Sequence, residues 1–197
     1  MLDRAALPAL RSATASRHAA IEGLLQLESS TDPERFGAAL QVFEAFLRVW
    51  EPMAADALPP AMRPWFEAHR RGHLATKDVR AFGLAQLDLG SLPELPMGSP
   101  ALALGSTYVI EGSALGGMVI AKLMTDRFRT GADNGASFFA ARRDGAASTW
   151  REFCAYLELG LADDPAAIAQ ACDSACLTFD RLAQAFDGHL PGQTRVE

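Results

Sequence analysis

Two groups of residues in this chain are of a type and spacing that could do chemistry. The first surrounds His18. Thr14 lies one helical turn before it, Glu22 one turn after it, and Arg11 two turns before it, roughly 10.5 Å along a helix axis. Neutral imidazole is a common metal ligand. An imidazole with a cation two turns away suits a metal macrocycle that carries carboxylates at its edge. A lone histidine on an apolar stripe is, however, more often a hydrogen-bonded core residue. The second group is Gly112, Gly116 and Gly117, set inside a long helical pattern. A mid-helix glycine costs roughly 0.5–1 kcal/mol relative to alanine, so three cost about 1.5–3 kcal/mol. Gly112 and Gly116 share a face with Tyr108, and Ser113 and Gly117 form the adjacent strip. Either tight helix–helix packing or a flat ligand pressed on bare backbone would offset that cost, and the pattern alone does not choose.

The elements that must position these residues read as helices. The 197 residues include 37 Ala and 25 Leu against 6 Val and 4 Ile, a helix-forming rather than strand-forming balance. A first helix spans about Leu7–Leu27, with Leu10, Thr14, His18, Ile21 and Leu25 on one stripe. Asp32–Pro33 opens a second, whose stripe is Phe36, Leu40, Phe43, Leu47 and Trp50 and which Pro52 should end. Shorter pieces follow near Ala61–Arg71 and Lys77–Leu87, then a connector at Gly90–Gly98. Ser99–Pro100 opens the long glycine-bearing helix toward Phe128. Gly131–Gly135 reads as a turn. Thr149 and Glu152 read as a capping box for a helix to about Leu159. Asp164–Pro165 opens the last helix, with Ile168, Cys172, Ala175, Phe179, Leu182 and Phe186 on its stripe and Gly188 at its close. The prediction is an all-α, single-domain bundle of seven to nine helices over residues 1–190, with 191–197 a flexible tail.

Composition also excludes. The net charge of −6 and pI near 5.2 lack a nucleic-acid footprint and disfavour an anionic membrane surface. No run reads as a membrane span and no signal peptide is evident, so a soluble cytoplasmic protein is expected. Cys154, Cys172 and Cys176 are too few for a disulfide framework. His69 and His73, within His69-Arg70-Arg71-Gly72-His73, mimic a two-histidine metal face, but Gly72 should break the helix and no third ligand is near. A solvated or partner-facing basic patch is the better reading. Glu111 should point away from the face that carries Gly112.

Two segments carry a family resemblance. Leu10-Arg11-Ser12-Ala13-Thr14-Ala15-Ser16-Arg17-His18-Ala19-Ala20-Ile21-Glu22 resembles the proximal helix of the heme oxygenases. Tyr108-Val109-Ile110-Glu111-Gly112-Ser113-Ala114-Leu115-Gly116-Gly117 resembles their distal helix, in wording nearest the bacterial branch that serves bacteriophytochromes. The block Phe138–Glu158, with Trp150 and Phe153, is similar to that branch as well, and the match in order and spacing runs from about Leu10 to Phe186.

The resemblance implies a fold with heme b, substrate and cofactor at once, held non-covalently between a proximal and a kinked distal helix. His18 would ligate the iron, with Glu22 or water on its other ring nitrogen. Gly112, Gly116 and Gly117 would let the distal backbone lie over the heme and leave space for dioxygen beside a meso carbon. Ser113 would hold water that delivers protons. Arg11 and Arg151 would bind propionates, with Thr14 and Tyr108 near the same site. The implied products are biliverdin, iron and carbon monoxide. Without a nucleotide-binding motif, electrons must come from an external reductase or ferredoxin. The cluster His69, Arg70, Arg71 and His73, or Arg127 and Arg129, would face that donor, and a bacteriophytochrome would be a product acceptor. The chain departs from the animal-type pattern in having Ser113 in place of an aspartate. It has Ala155 in place of a second basic residue, and Met118 where bacterial relatives often have a polar one. Two rival readings are a non-catalytic heme carrier and a similar fold with a catalytic cysteine, such as the thiamin-degrading relatives.

Overall fold

The computed structural model describes residues 5–27, 30, 32–90, 95–128, 135–142 and 145–191. Most of the expected turn Gly131–Gly135, the centre of the connector Gly90–Gly98, Arg129, the side chain of Arg127 and the tail after Pro191 lie outside the described residues. Eight helices are described: α1 (Ala6–Leu25), α2 (Pro33–Ala57), α3 (Arg63–His69), α4 (Gly72–Ala81), α5 (Pro100–Phe128), α6 (Ser137–Ala140), α7 (Ala146–Leu161) and α8 (Pro165–Asp187). No strand occurs among the described residues.

Local chemistry explains most of the boundaries. Asp32 and Asp164 accept from the backbone N–H groups of Glu34 and Ala166, each at 2.9 Å, and a proline follows each cap. The five stripe residues of α2 are all buried. Pro52 does not end that helix, which continues to Ala57. The hydrogen bond that Pro52 cannot make would have gone to the carbonyl of Arg48, and both residues are exposed, so water can take it. The helix does break beside Gly72, since α3 ends at His69, but Gly72 itself belongs to the next one. It opens α4, five residues earlier than the pattern suggests, because Glu51 of α2 accepts from the N–H groups of Arg71 and Gly72, both at 2.8 Å. A carboxylate from another helix thus caps α4. The expected capping box at Thr149 is also overturned. α7 starts at Ala146, and Glu152 instead accepts from the indole N–H of Trp65 at 2.9 Å.

The core is one contiguous apolar cluster, with α5 in contact with α2, α6, α7 and α8. The Trp50 indole donates to Ser106 at 2.8 Å, and Thr178 Oγ1 lies 2.8 Å from the same hydroxyl, so one polar node ties α2, α5 and α8. α5 is helical throughout; its glycines do not interrupt it. Contrary to the expectation that no run could span a membrane, Pro100–Asp126 is long and apolar enough by length and composition, and a little over half of it is buried within the fold.

Candidate functional site

A cavity of about 740 Å³ opens between α1 and the middle of α5, within the range of small-molecule sites. Arg11, His18 and Glu22 line it from α1, and Tyr108, Gly112, Ser113 and Gly116 from α5. Phe43 of α2, Trp150 of α7, and Phe179 and Phe186 of α8 complete an aromatic lining. The α1 stripe therefore divides. Leu10, Thr14 and Leu25 are buried, whereas the side chain of His18 is 57% exposed because its part of the stripe faces the cavity. His18 is not a core histidine. Its Nδ1 lies 3.5 Å from Glu22 Oε2, and its ring meets Phe179 edge-on at 5.9 Å between centroids.

The glycines separate in the same way. A Cβ on Gly116 would meet nothing within 4 Å, and one on Gly112 would only touch Trp150 at 3.9 Å. Both positions border the cavity. A Cβ on Gly117 would instead lie 3.1 Å from the Phe139 carbonyl, so this glycine serves packing against α6 and does not line the cavity. The closest contact on α5 is at Gly105, where a Cβ would be driven into the Ala171 carbonyl of α8. Sequence reasoning did not single Gly105 out. Its only signal is the absence of a side chain in an alanine- and leucine-rich helix.

Two other expected site residues are placed elsewhere. Thr14 is buried, and its hydroxyl donates to the Leu10 carbonyl at 2.7 Å, one turn back along its own helix. Arg151 is exposed and does not line the cavity; its neighbour Trp150 does. Of the basic patch expected at His69–His73, His73 is exposed and Arg71 is buried. Arg70 pairs with Glu51 and Glu67, each at 3.0 Å. His69 Nδ1 lies 2.7 Å from the Trp65 carbonyl, and the two rings stack at 4.6 Å.

Arg71 is buried and reaches α5 from behind. Its Nη2 donates to the Ile110 carbonyl at 2.6 Å and to Ser113 Oγ at 3.2 Å, and the guanidinium sits 5.1 Å from the Phe138 ring centroid. Burial pushes it down to about 10; Glu111 opposes that shift and Arg142 adds to it. Glu111 points away from the cavity into a buried pair with Arg142 at 2.6 Å. Cys172 and Cys176 are partly buried, and burial raises both thiols above their ordinary range, the reverse of what a nucleophile requires.

The fold and the site define a class, an all-α protein that sets an imidazole, a cation and two bare helical turns on one aromatic cavity. The comparisons narrow the class. No family profile matches the chain. A heme oxygenase of Xanthomonas campestris pv. campestris (strain 8004) is 31% identical over 127 residues, 64% of this chain and 74% of that one. The NO- and CO-bound heme oxygenase from Neisseria meningitidis superposes with a TM-score of 0.73 over 94% of this chain and 96% of that chain, at 23% identity. The chain belongs to the heme oxygenase family, has its all-α fold, and is an enzyme.

Proposed function

We propose that the cavity binds heme b non-covalently, as substrate and cofactor together, and that the enzyme opens the macrocycle to biliverdin, iron and carbon monoxide. The observation that carries this reading is the placement of His18 on the same cavity as Gly112 and Gly116, with open space where a Gly116 side chain would stand. The residues fit the group. Glu22 beside Nδ1 leaves Nε2 of His18 for the metal. Phe43, Trp150, Phe179 and Phe186 offer apolar surface to a flat macrocycle, and Arg11 offers a cation to a propionate. Arg151, outside the lining, leaves that role to Arg11.

When bound, the heme iron supplies the activation of dioxygen. The chain supplies position and protons. The backbone at Gly112 and Gly116 leaves room over the ring that any side chain would fill. Ser113 lines the cavity and anchors water there for proton delivery. Electrons come from an external reductase or ferredoxin. Arg71 and Arg70, engaged within the fold, are unsuited to dock that donor. The enzyme works in the cytoplasm, with a bacteriophytochrome as one acceptor of its product.

The test is direct. Hemin added to the protein should shift the Soret band, and reductant with dioxygen should then convert it to biliverdin. A stable Soret band under turnover conditions would identify a carrier instead. His18→Ala should abolish the native axial spectrum and turnover, while added imidazole restores part of the spectrum. Native ligation that persists in this variant removes His18 from the metal.

A further inference from the structure

We propose that Arg71 is a positioning residue that makes Ser113 an acceptor, never a donor, toward the cavity. The inference rests on the heme reading above and goes beyond it. A serine hydroxyl has one proton to donate and two lone pairs. Ser113 gives its proton to the Ile110 carbonyl at 2.7 Å and accepts from Arg71 Nη2 at 3.2 Å. One lone pair remains for the cavity that Ser113 lines. Water held there must donate one hydrogen to Ser113, and its other hydrogen is then free to point at the ligand. The polarity of the distal wall is set from behind by a group that never enters the cavity.

Several observations argue against a passive Arg71. Its guanidinium is buried and forms no ion pair with a carboxylate among the described residues. Burying a cation in that way is costly, and an apolar side chain would fill the space more cheaply. Its direction is over-determined. Glu51 takes its backbone N–H, the Phe138 ring lies under its guanidinium, and the Ile110 carbonyl receives it at 2.6 Å. Those contacts direct Nη2 to Ile110 and Ser113.

The test is a double-substitution cycle on the full-length protein, loaded with ferric heme and titrated with fluoride. Bound fluoride only accepts hydrogen bonds, so its affinity reads the donors that the cavity presents. Ser113→Ala should weaken fluoride binding about threefold to tenfold, the worth of one hydrogen bond. Arg71→Met should do the same, and the double variant should lose no more than either single one. Arg71→Gln, which keeps a donor without the charge, should recover at least half of the lost affinity. Unchanged fluoride affinity in Arg71→Met, or an undiminished effect of Arg71→Met in the Ser113→Ala background, overturns the proposal. Arg71→Leu carries the same cycle if Arg71→Met does not fold. A second readout needs no heme. In the heme-free protein the Ser113 hydroxyl proton should exchange slowly enough to be seen by NMR, and should vanish from the spectrum in Arg71→Met. Its absence from the unsubstituted protein also overturns the proposal. A protein that fails to shift the hemin Soret band, yet shows this proton, defeats the heme reading alone.

Discussion

The two halves of α5 use the same residue for opposite reasons. In the first half, Gly105 lies where a Cβ would collide with the Ala171 carbonyl, so α5 and α8 touch backbone to backbone. From the middle of the helix onward, Gly116 lies where a Cβ would find nothing within 4 Å, and Gly112 is almost as open. The helical cost is the same at each position. At Gly105 it is offset by packing within the protein. At Gly112 and Gly116 no close contact within the protein offsets it, which supports the proposal that the cavity's ligand does.

The sharpest way to break that contrast is to add one methyl group to each half. Gly105→Ala pushes a rigid side chain into a rigid carbonyl, and neither can rotate away. A loss of about 2–3 kcal/mol is expected, a fall in Tm of roughly 4–12 °C, with heme uptake impaired only through stability. Thermal unfolding of the heme-free protein measures it. An unchanged Tm would mean that the two helices are not in backbone contact at this point.

Gly116→Ala should act in the opposite direction on stability. The methyl group meets open space, and the helix gains roughly 0.5–1 kcal/mol, so the Tm of the heme-free protein should rise slightly. Turnover should fall by more than heme affinity does, because the methyl group occupies space above the ring rather than the metal-binding face. Comparing the hemin dissociation constant with the rate of biliverdin formation separates the two effects. A variant that is both more stable and fully active would remove Gly116 from the site.

This contrast marks how far the sequence could be read. The all-helical bundle, both Asp–Pro helix starts and the α2 stripe were legible because they rest on local rules: a capping carboxylate, a proline at the first turn, a period of 3.6. The shared face of Tyr108, Gly112 and Gly116 was legible for the same reason. What those glycines face was not, because packing and ligand binding leave the same mark on a helix. Arg71 illustrates the limit. Next to His69 and Arg70 it reads as part of a charged surface, yet Glu51, Ile110 and Phe138, from three other parts of the chain, take it inside. Glu152 shows the converse. It satisfies a local capping pattern, and the Trp65 indole claims its carboxylate instead.

Gly117 lies between the two extremes and gives the finest test. Its Cβ would stand 3.1 Å from the Phe139 carbonyl, closer than ordinary contact, so α6 would have to yield by a few tenths of an ångström. α6 is a single turn, held by Asp78 through the Ser137 hydroxyl and the Phe138 N–H. The helical gain from alanine, roughly 0.5–1 kcal/mol, should therefore be nearly cancelled by that displacement. Gly117→Ala is expected to change Tm by less than about 2 °C in either direction and to leave the hemin spectrum intact. A loss of stability close to that of Gly105→Ala would show that α6 is as rigid as α8 and that Gly117 belongs with the packed half. A loss of turnover without loss of stability would place Gly117 with Gly112 and Gly116, and would extend the open half of α5 by one residue.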